Sequence, residues 1–111
     1  MIILGLGSNL SSSYGSRFVN IDKAISYLIS NDIKLINKSS YYESLSYPNK
    51  NYPKFINVII SIETNISVQK LIESIIVVEE RFGRKRKEKN EPRTIDIDII
   101  DYNGKTVDFK H

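Results

Sequence analysis

Hydrophobic and polar positions along this chain follow two periods, one typical of β-strands and one typical of α-helices. Near the carboxyl end the two classes alternate strictly, which predicts a strand with Ile95, Ile97 and Ile99 facing a core and Asp96 and Asp98 facing away from it. Alternation rich in β-branched and aromatic residues predicts three further strands, at residues 2–7, 33–42 and 55–63. We expect these strands to form a sheet with one buried face.

Two stretches carry apolar residues at helical spacing. Ser16 is a suitable N-cap for the first helix, which we expect to run to about Ser30 with Asn31 as a left-handed stop. Its predicted core stripe consists of Phe18, Ile21, Ile25, Leu28 and Ile29. Ser67 is the expected N-cap of the second helix, and Gly83 its end. The stripe of that helix consists of Val68, Leu71, Ile72, Ile75 and Phe82.

The order of elements, β-α-β-β-α-β, determines the expected fold class. Right-handed crossovers and the need to bury one sheet face favour a ferredoxin-like α+β sandwich, a four-stranded antiparallel sheet with both helices on one face. We expect a single domain over residues 1–111, with the first and third strands central and the fourth beside the first. The alternation then assigns six residues to the open face: Gly5, Gly7, Phe55, Asn57, Asp96 and Asp98. An aromatic ring, an amide, two acids and bare glycine backbone predict the floor of a ligand site.

The composition, with 41% apolar and 26% charged residues, is that of an ordinary globular domain. Cysteine is absent, which excludes disulfides and thiolate sites, and the single histidine is the last residue, His111. No apolar run approaches the roughly 20 residues that cross a bilayer, so we expect a cytoplasmic protein with no membrane partner. The chain has a net charge of +3, and its excess of positive charge is concentrated in residues 81–93, which favours a local anionic partner.

Asp96 and Asp98 follow this basic stretch directly and are the strongest candidates for chemistry. Carboxylates two positions apart on a strand lie about 6.7 Å apart, and at an effective dielectric constant of about 20 their repulsion is about 2.5 kcal/mol. Mg²⁺ suits such a pair, because it often binds through one or two carboxylates together with substrate phosphates. The upstream arginines would bind phosphate oxygens. The alternative is a solvated strand face beside charges that serve only solubility.

Five motifs, spread over nearly the whole chain, resemble those of one known enzyme family. They are Gly7-Ser8-Asn9-Leu10, Ser39-Ser40-Tyr41-Tyr42-Glu43-Ser44, Phe55-Ile56-Asn57-Val58, Glu79 with Gly83-Arg84-Lys85-Arg86, and Pro92-Arg93-Thr94-Ile95-Asp96-Ile97-Asp98-Ile99. The chain thereby resembles 6-hydroxymethyl-7,8-dihydropterin pyrophosphokinase of folate biosynthesis, a family with a ferredoxin-like fold. The last motif is the most specific in order and spacing.

The resemblance implies transfer of a diphosphate unit from ATP to the hydroxymethyl group of the pterin, with release of AMP. Two Mg²⁺ ions would bridge Asp96 and Asp98 to the phosphates of ATP, the co-substrate. Arg84, Arg86 and Arg93 would neutralise charge on the transferred group. The resemblance also implies that Glu79 and Ile99, with Arg86 and Arg93, contact the nucleotide, and that Ser44, Leu45, Tyr47, Phe55 and Asn57 contact the pterin. Phe55 offers a stacking face and Asn57 a donor and an acceptor, although plain packing or a bond to a neighbouring loop would also explain them.

The chain departs from the family pattern in three respects. It carries Asn90-Glu91 where an aromatic residue and a glycine commonly precede Pro-Arg, and Lys89 where arginine is usual. The family also continues beyond the position of His111 with a Pro-His segment, an arginine and a phenylalanine that completes the pterin site. We therefore expect this chain to lack that part of the family fold.

Two other functions fit part of the pattern. A ferredoxin-like domain could bind a small ligand without catalysis, and the RNA-recognition fold has the same order of elements. An RNA-binding module needs aromatic side chains on the first and third strands, where this chain has glycines and one phenylalanine. Asp96 and Asp98 would also repel a phosphate backbone in the absence of a metal ion. We therefore expect small-molecule substrates and no nucleic-acid partner, and the sequence indicates no oligomeric state.

Overall fold

The computed structural model describes residues 1–46, 51–83 and 94–107, which form five strands and two helices. In chain order these elements are β1 (Ile2–Ser8), α1 (Arg17–Leu28), β2 (Ile33–Lys38), β3 (Tyr42–Ser44), β4 (Phe55–Thr64), α2 (Val68–Arg81) and β5 (Asp96–Tyr102). The strands form one antiparallel sheet in the order β2-β4-β1-β5, with β3 pairing separately with β4. The predicted α+β ferredoxin-like class is confirmed, as are the central positions of β1 and β4 and the place of β5 beside β1.

The prediction of one continuous strand over residues 33–42, and hence of four strands, is wrong. The chain leaves the ladder after Lys38 and rejoins β4 at Tyr42. Between them Ser39 donates its backbone N–H to the carbonyl of Ile59 at 2.8 Å, while the Ile59 N–H donates to the Ser39 hydroxyl at 2.9 Å. A side-chain oxygen thus replaces a backbone partner, which interrupts the strand without leaving the central strand unpaired.

The core lies between the sheet and the two helices. Alternation is clearest in β4, where every second side chain is buried: Ile56, Val58, Ile60 and Ile62. Ile95, Ile97 and Ile99 point into the same core, as predicted. Burial of one such side chain stabilises a fold by about 1.5–3 kcal/mol, so these rows hold the helices against the sheet.

Both predicted N-caps are confirmed. The Ser16 hydroxyl accepts from the Val19 N–H at 3.3 Å, and the Ser67 hydroxyl accepts from the Lys70 N–H at 3.2 Å. Gly83, with φ of +74°, follows the end of α2 as expected. Each cap satisfies an amide that would otherwise lack a helical partner, so the starting points of both helices are encoded locally.

Two details of α1 were predicted wrongly. The helix ends at Leu28, and Ile29 is already extended, so Asn31 provides no left-handed stop. Phe18 is 41% exposed rather than in the core, because it packs edge-on against the Tyr41 ring at 5.1 Å on the surface.

After β5 the chain turns through Asn103 and Gly104, both of which have positive φ angles. A single bridge then joins Lys105 to Tyr102, and residues 108–111 lie outside the described part of the chain. Neither described helix is long and apolar enough to span a bilayer.

Candidate active site

The open face of the sheet carries a cavity of about 350 Å³. Its lining includes all six residues that the sequence assigned to this face, Gly5, Gly7, Phe55, Asn57, Asp96 and Asp98, together with Ser44 and Leu45. The prediction that these side chains share one face is therefore confirmed. Their roles toward a ligand stay predictions.

Strand register explains why the two acids face open space. Asp96 lies opposite Gly7 of β1, and Asp98 lies opposite Gly5. A Cβ on Gly7 would come within 3.0 Å of Asn57 Oδ1, so the missing side chain leaves room that no other residue could leave. Gly7 is in turn opposite Asn57 of β4, and with strands about 4.8 Å apart the Cα atoms of Asp96 and Asn57 are separated by about 10 Å.

Asn57 has a defined orientation in this cavity. Its Nδ2 donates to the Ser44 hydroxyl at 2.9 Å and to the Tyr42 carbonyl at 3.3 Å, both in β3. The amide therefore uses its donor side to hold β3 and turns its acceptor, Oδ1, toward Gly7. Beside it the half-buried ring of Phe55 faces the cavity.

Two of the residues expected at the nucleotide, Glu79 of α2 and Ile99 of β5, belong to the edge of the sheet formed by β5. Glu79 is 2% exposed, and its Oε2 accepts from the Ile97 N–H at 2.9 Å, so this side chain binds the outer edge of β5. The side chain of Ile99 is buried in the core, so any contact with a nucleotide would involve its backbone. Since backbone direction alternates along a strand, the N–H and C=O of Ile99 point away from β1, like those of Ile97.

Four predicted site residues, Tyr47, Arg84, Arg86 and Arg93, lie outside the described residues, as do Lys89 and Asn90-Glu91. Two residues that flank the basic stretch are bonded to each other: the Thr94 hydroxyl donates to the Phe82 carbonyl at 2.7 Å. This bond brings the residue after α2 together with a residue two positions before Asp96.

Among the described residues, the chemistry and surroundings of Asp96 and Asp98 fit a magnesium site. Both are hard oxygen donors, both are partly exposed, and the glycines opposite leave space beside them. Within residues 1–46, 51–83 and 94–107, no group of three or more acidic, histidine or cysteine side chains could hold a metal ion by itself. A metal ion here would therefore complete its coordination shell with ligands from outside that set, as Mg²⁺ does with water and phosphate oxygens.

Five residues of the cavity lining were not selected from the sequence: Leu6 and Val58, whose side chains are buried in the core, and Tyr42, Ile59 and Ile100. The alternation of Asp96 and Asp98, continued by two residues, would have predicted Ile100 on the open face. The alternation in β4 did predict Ile59 on that face, but we assigned it no contact with a ligand. Tyr42 gave no such signal, because its position depends on the break between β2 and β3.

Comparison with known proteins agrees with the motifs. The model of the 7,8-dihydro-6-hydroxymethylpterin-pyrophosphokinase family matches residues 3–110. A 2-amino-4-hydroxy-6-hydroxymethyldihydropteridine pyrophosphokinase of Aquifex aeolicus is 36% identical over 109 residues, which are 98% of this chain and 65% of that protein. Proteins of the same name from Helicobacter pylori and Synechocystis sp. are 35% and 31% identical, over 92% and 96% of this chain and 62% and 52% of their own lengths.

This chain thus spans 52–65% of the length of these three relatives. The family model covers residues 3–110, which include both described helices and all but the first residue of the described strands. The chain therefore belongs to the 7,8-dihydro-6-hydroxymethylpterin-pyrophosphokinase family.

Proposed function

We propose that this chain performs the reaction for which its relatives are named, with ATP and 6-hydroxymethyl-7,8-dihydropterin as substrates and AMP and the pterin diphosphate as products. The hydroxymethyl oxygen forms a bond to the β-phosphorus of ATP, the bond from that phosphorus to the oxygen bridging the α-phosphorus breaks, and the hydroxyl proton is released. One observation carries the proposal: Asp96 and Asp98 share an open sheet face with Phe55 and Asn57, separated only by glycine backbone.

Phe55 and Asn57 suit the pterin. Its flat bicyclic ring can stack on the Phe55 face. Because Asn57 binds β3 through its donor side, its Oδ1 is available to accept from an N–H on the edge of the ring. Ser44, Leu45 and Tyr47 complete the proposed pterin contacts.

Asp96 and Asp98 suit the phosphates. They would hold two Mg²⁺ ions, which when bound neutralise phosphate charge and favour in-line displacement. The separation of about 10 Å between the Cα atoms of Asp96 and Asn57 leaves room for the hydroxymethyl group to project from a ring at Phe55 toward the phosphates. Arg84, Arg86 and Arg93 are proposed to bind the phosphate oxygens and stabilise the charge that develops during transfer.

Ile99 and Glu79 are proposed to serve the nucleotide at the outer edge of β5. The Ile99 backbone offers one donor and one acceptor there, a pair that matches the edge of an adenine ring. Glu79 holds the adjacent amide of Ile97 and so keeps this edge in place.

Asparagine substitutions of the two acids test the proposal. Asp96→Asn and Asp98→Asn preserve side-chain shape but remove the charge that attracts Mg²⁺, so each should lower Mg²⁺-dependent AMP formation at least about a hundredfold. Asp101→Asn is the matched control on the same strand: an asparagine Oδ1 can still accept from the Gly104 N–H, as Asp101 does at 2.9 Å, so activity should be retained. Thermal unfolding of all three variants should match that of the unchanged protein.

Calorimetry separates catalysis from binding alone. A non-hydrolysable ATP analogue should bind in the presence of Mg²⁺ and weaken when Mg²⁺ is withdrawn or when Asp96 or Asp98 is replaced. Normal turnover by either asparagine variant would refute the assigned role of the acids. Binding of both substrates by the unchanged chain without AMP formation would instead support the non-catalytic ligand-binding alternative.

A further inference from the structure

A buried amide outside the proposed ligand contacts bridges the two sides of the β3–β4 hairpin. Asn9, immediately after β1, donates from Nδ2 to the Ser46 hydroxyl at 2.9 Å and to the Pro53 carbonyl at 3.1 Å. The Ser46 hydroxyl donates to the same carbonyl at 2.6 Å. These three residues are called the Asn9 clamp below. Asn9 and Ser46 are 1% and 3% exposed, so the bond between them is shielded from water, while the two bonds to the Pro53 carbonyl are partly buried.

The Asn9 clamp lies next to the proposed pterin site. Ser44 and Phe55 form the last pair of the short β3–β4 ladder, and Ser46 and Pro53 stand two residues farther on. Ser44, Phe55 and the intervening Leu45 all line the cavity. The clamp is therefore the first fixed point beyond a ladder only three residues long, and it holds the two walls of the cavity at a set separation.

A second buried asparagine, Asn20, already holds the β1–α1 connection, so the bonds of Asn9 to the hairpin are not needed to hold that connection. Asn20, with no exposed surface, donates from Nδ2 to the Ser8 hydroxyl at 3.2 Å and to the Leu10 carbonyl at 3.0 Å, and accepts from Ser12. All partners of these bonds lie within twelve residues of Asn20. Asn9 makes bonds of the same kind to partners 37 and 44 residues away, on a different element.

We propose that Asn9 is a positioning residue that sets the width of the pterin slot by fixing Leu45 relative to Phe55. This inference rests on the proposed function and deepens it, since a slot of fixed width suits a rigid, flat bicyclic ring. Arg17 also reaches this hairpin, with Nη1 donating to the Lys54 carbonyl at 2.7 Å, but that bond is exposed and water can replace it.

The test compares Asn9→Ala with Asn20→Ala, which removes a similar set of buried bonds from the same connection. Both variants should lower the thermal unfolding temperature by similar amounts. Only Asn9→Ala should raise the dissociation constant for the pterin substrate, by about tenfold, and speed amide hydrogen exchange at Leu45 in the ligand-free protein by a similar factor. Affinity for the ATP analogue should stay within about twofold, because the bonds of the clamp join Asn9 to the β3–β4 hairpin and not to the strand that carries the acids.

Ser46→Ala provides an independent variant, because it keeps Asn9 and removes only the hydroxyl between Asn9 and Pro53. It should weaken pterin binding in the same direction, and combining it with Asn9→Ala should cost less than the product of the two single effects, since both act through one set of bonds. If Asn9→Ala does not fold, Ser46→Ala alone tests whether the Asn9 clamp affects pterin binding.

The outcomes distinguish this inference from the proposed function. If the unchanged protein binds no pterin, the proposed function fails, while exchange at Leu45 still decides whether Asn9 fixes the hairpin. Equal loss of pterin affinity in Asn9→Ala and Asn20→Ala would reduce Asn9 to a purely structural role. Unchanged exchange at Leu45 in both Asn9→Ala and Ser46→Ala would overturn the clamp itself.

Discussion

A single methyl group added at Gly7 should separate ligand binding from stability. The new Cβ would lie 3.0 Å from Asn57 Oδ1 and 3.2 Å from Phe55 Cδ1, whereas ordinary contact begins at 3.4 Å. Both side chains must therefore retreat by about 0.2–0.4 Å. Asn57 cannot do so without stretching its bonds to Ser44 and Tyr42.

The energetic consequence of Gly7→Ala is a sum of opposing effects. Gly7 has no positive φ, so alanine fits the backbone and stabilises the fold by about 0.4–1 kcal/mol through the unfolded state. Overpacking costs about 1–3 kcal/mol, which leaves a net loss of about 0–2.6 kcal/mol in the free energy of unfolding. Because the displaced groups are those proposed to bind the pterin, affinity should fall about tenfold or more.

Gly5→Ala is the matched control, on the same strand and the same face. Its Cβ would lie 3.1 Å from Cδ1 of Ile100, the far end of a half-exposed side chain that can rotate away. Urea denaturation should show a change within about 1 kcal/mol, and calorimetric pterin affinity should stay within about twofold. Equal loss of affinity in the two alanine variants, or normal binding by Gly7→Ala, would refute the reasoning from cavity geometry.

Two further substitutions test the edge of the sheet and a surface cluster. Glu79→Ala should lower the free energy of unfolding, measured by urea denaturation, by about 1–3 kcal/mol, because it leaves the buried Ile97 amide without this acceptor. Glu80→Ala, on the exposed side of α2, should lower it by less than about 0.5 kcal/mol. Equal losses in the two variants would contradict this prediction. The hydrogen bond to the Tyr41 hydroxyl raises the pKa of Lys38 above its ordinary 10.5, against a smaller lowering by burial. A pKa raised in the folded state adds stability that is fully present below pH 10.5 and lost as pH rises through the folded-state value. Tyr41→Phe should therefore lower the pKa of Lys38, measured by NMR, and flatten the alkaline dependence of stability; an unchanged pKa would exclude this cause.

Features that depend on local periodicity could be predicted from the sequence. Alternation in β4 and β5 determined which side chains enter the core, and the same alternation put Asp96, Asp98 and Asn57 on the open face. Ser16 and Ser67 predicted where the two helices start, because an N-cap requires only a hydroxyl three residues before the amide that donates to it.

Features that depend on distant partners could not be predicted in this way. Phe18 fits a helical core stripe by spacing, but its packing against Tyr41 on the surface follows from where β3 begins. That start in turn depends on the Ser39 hydroxyl replacing a backbone acceptor for Ile59. Asn9 is polar and follows a strand, so its burial among the hairpin residues has no periodic signature at all.

The bond from the Ile97 amide to Glu79 has a consequence for colloidal behaviour. Among the described strands β5 lies at the end of the sheet, and a strand in that position can template the addition of a strand from another molecule, the first step of edge-to-edge aggregation. Here one amide near the start of that edge, the Ile97 N–H, is already bonded to a side chain from helix α2. An incoming strand could not pair with the Ile97 amide without displacing this buried oxygen, so Glu79 disfavours strand addition at that end of β5.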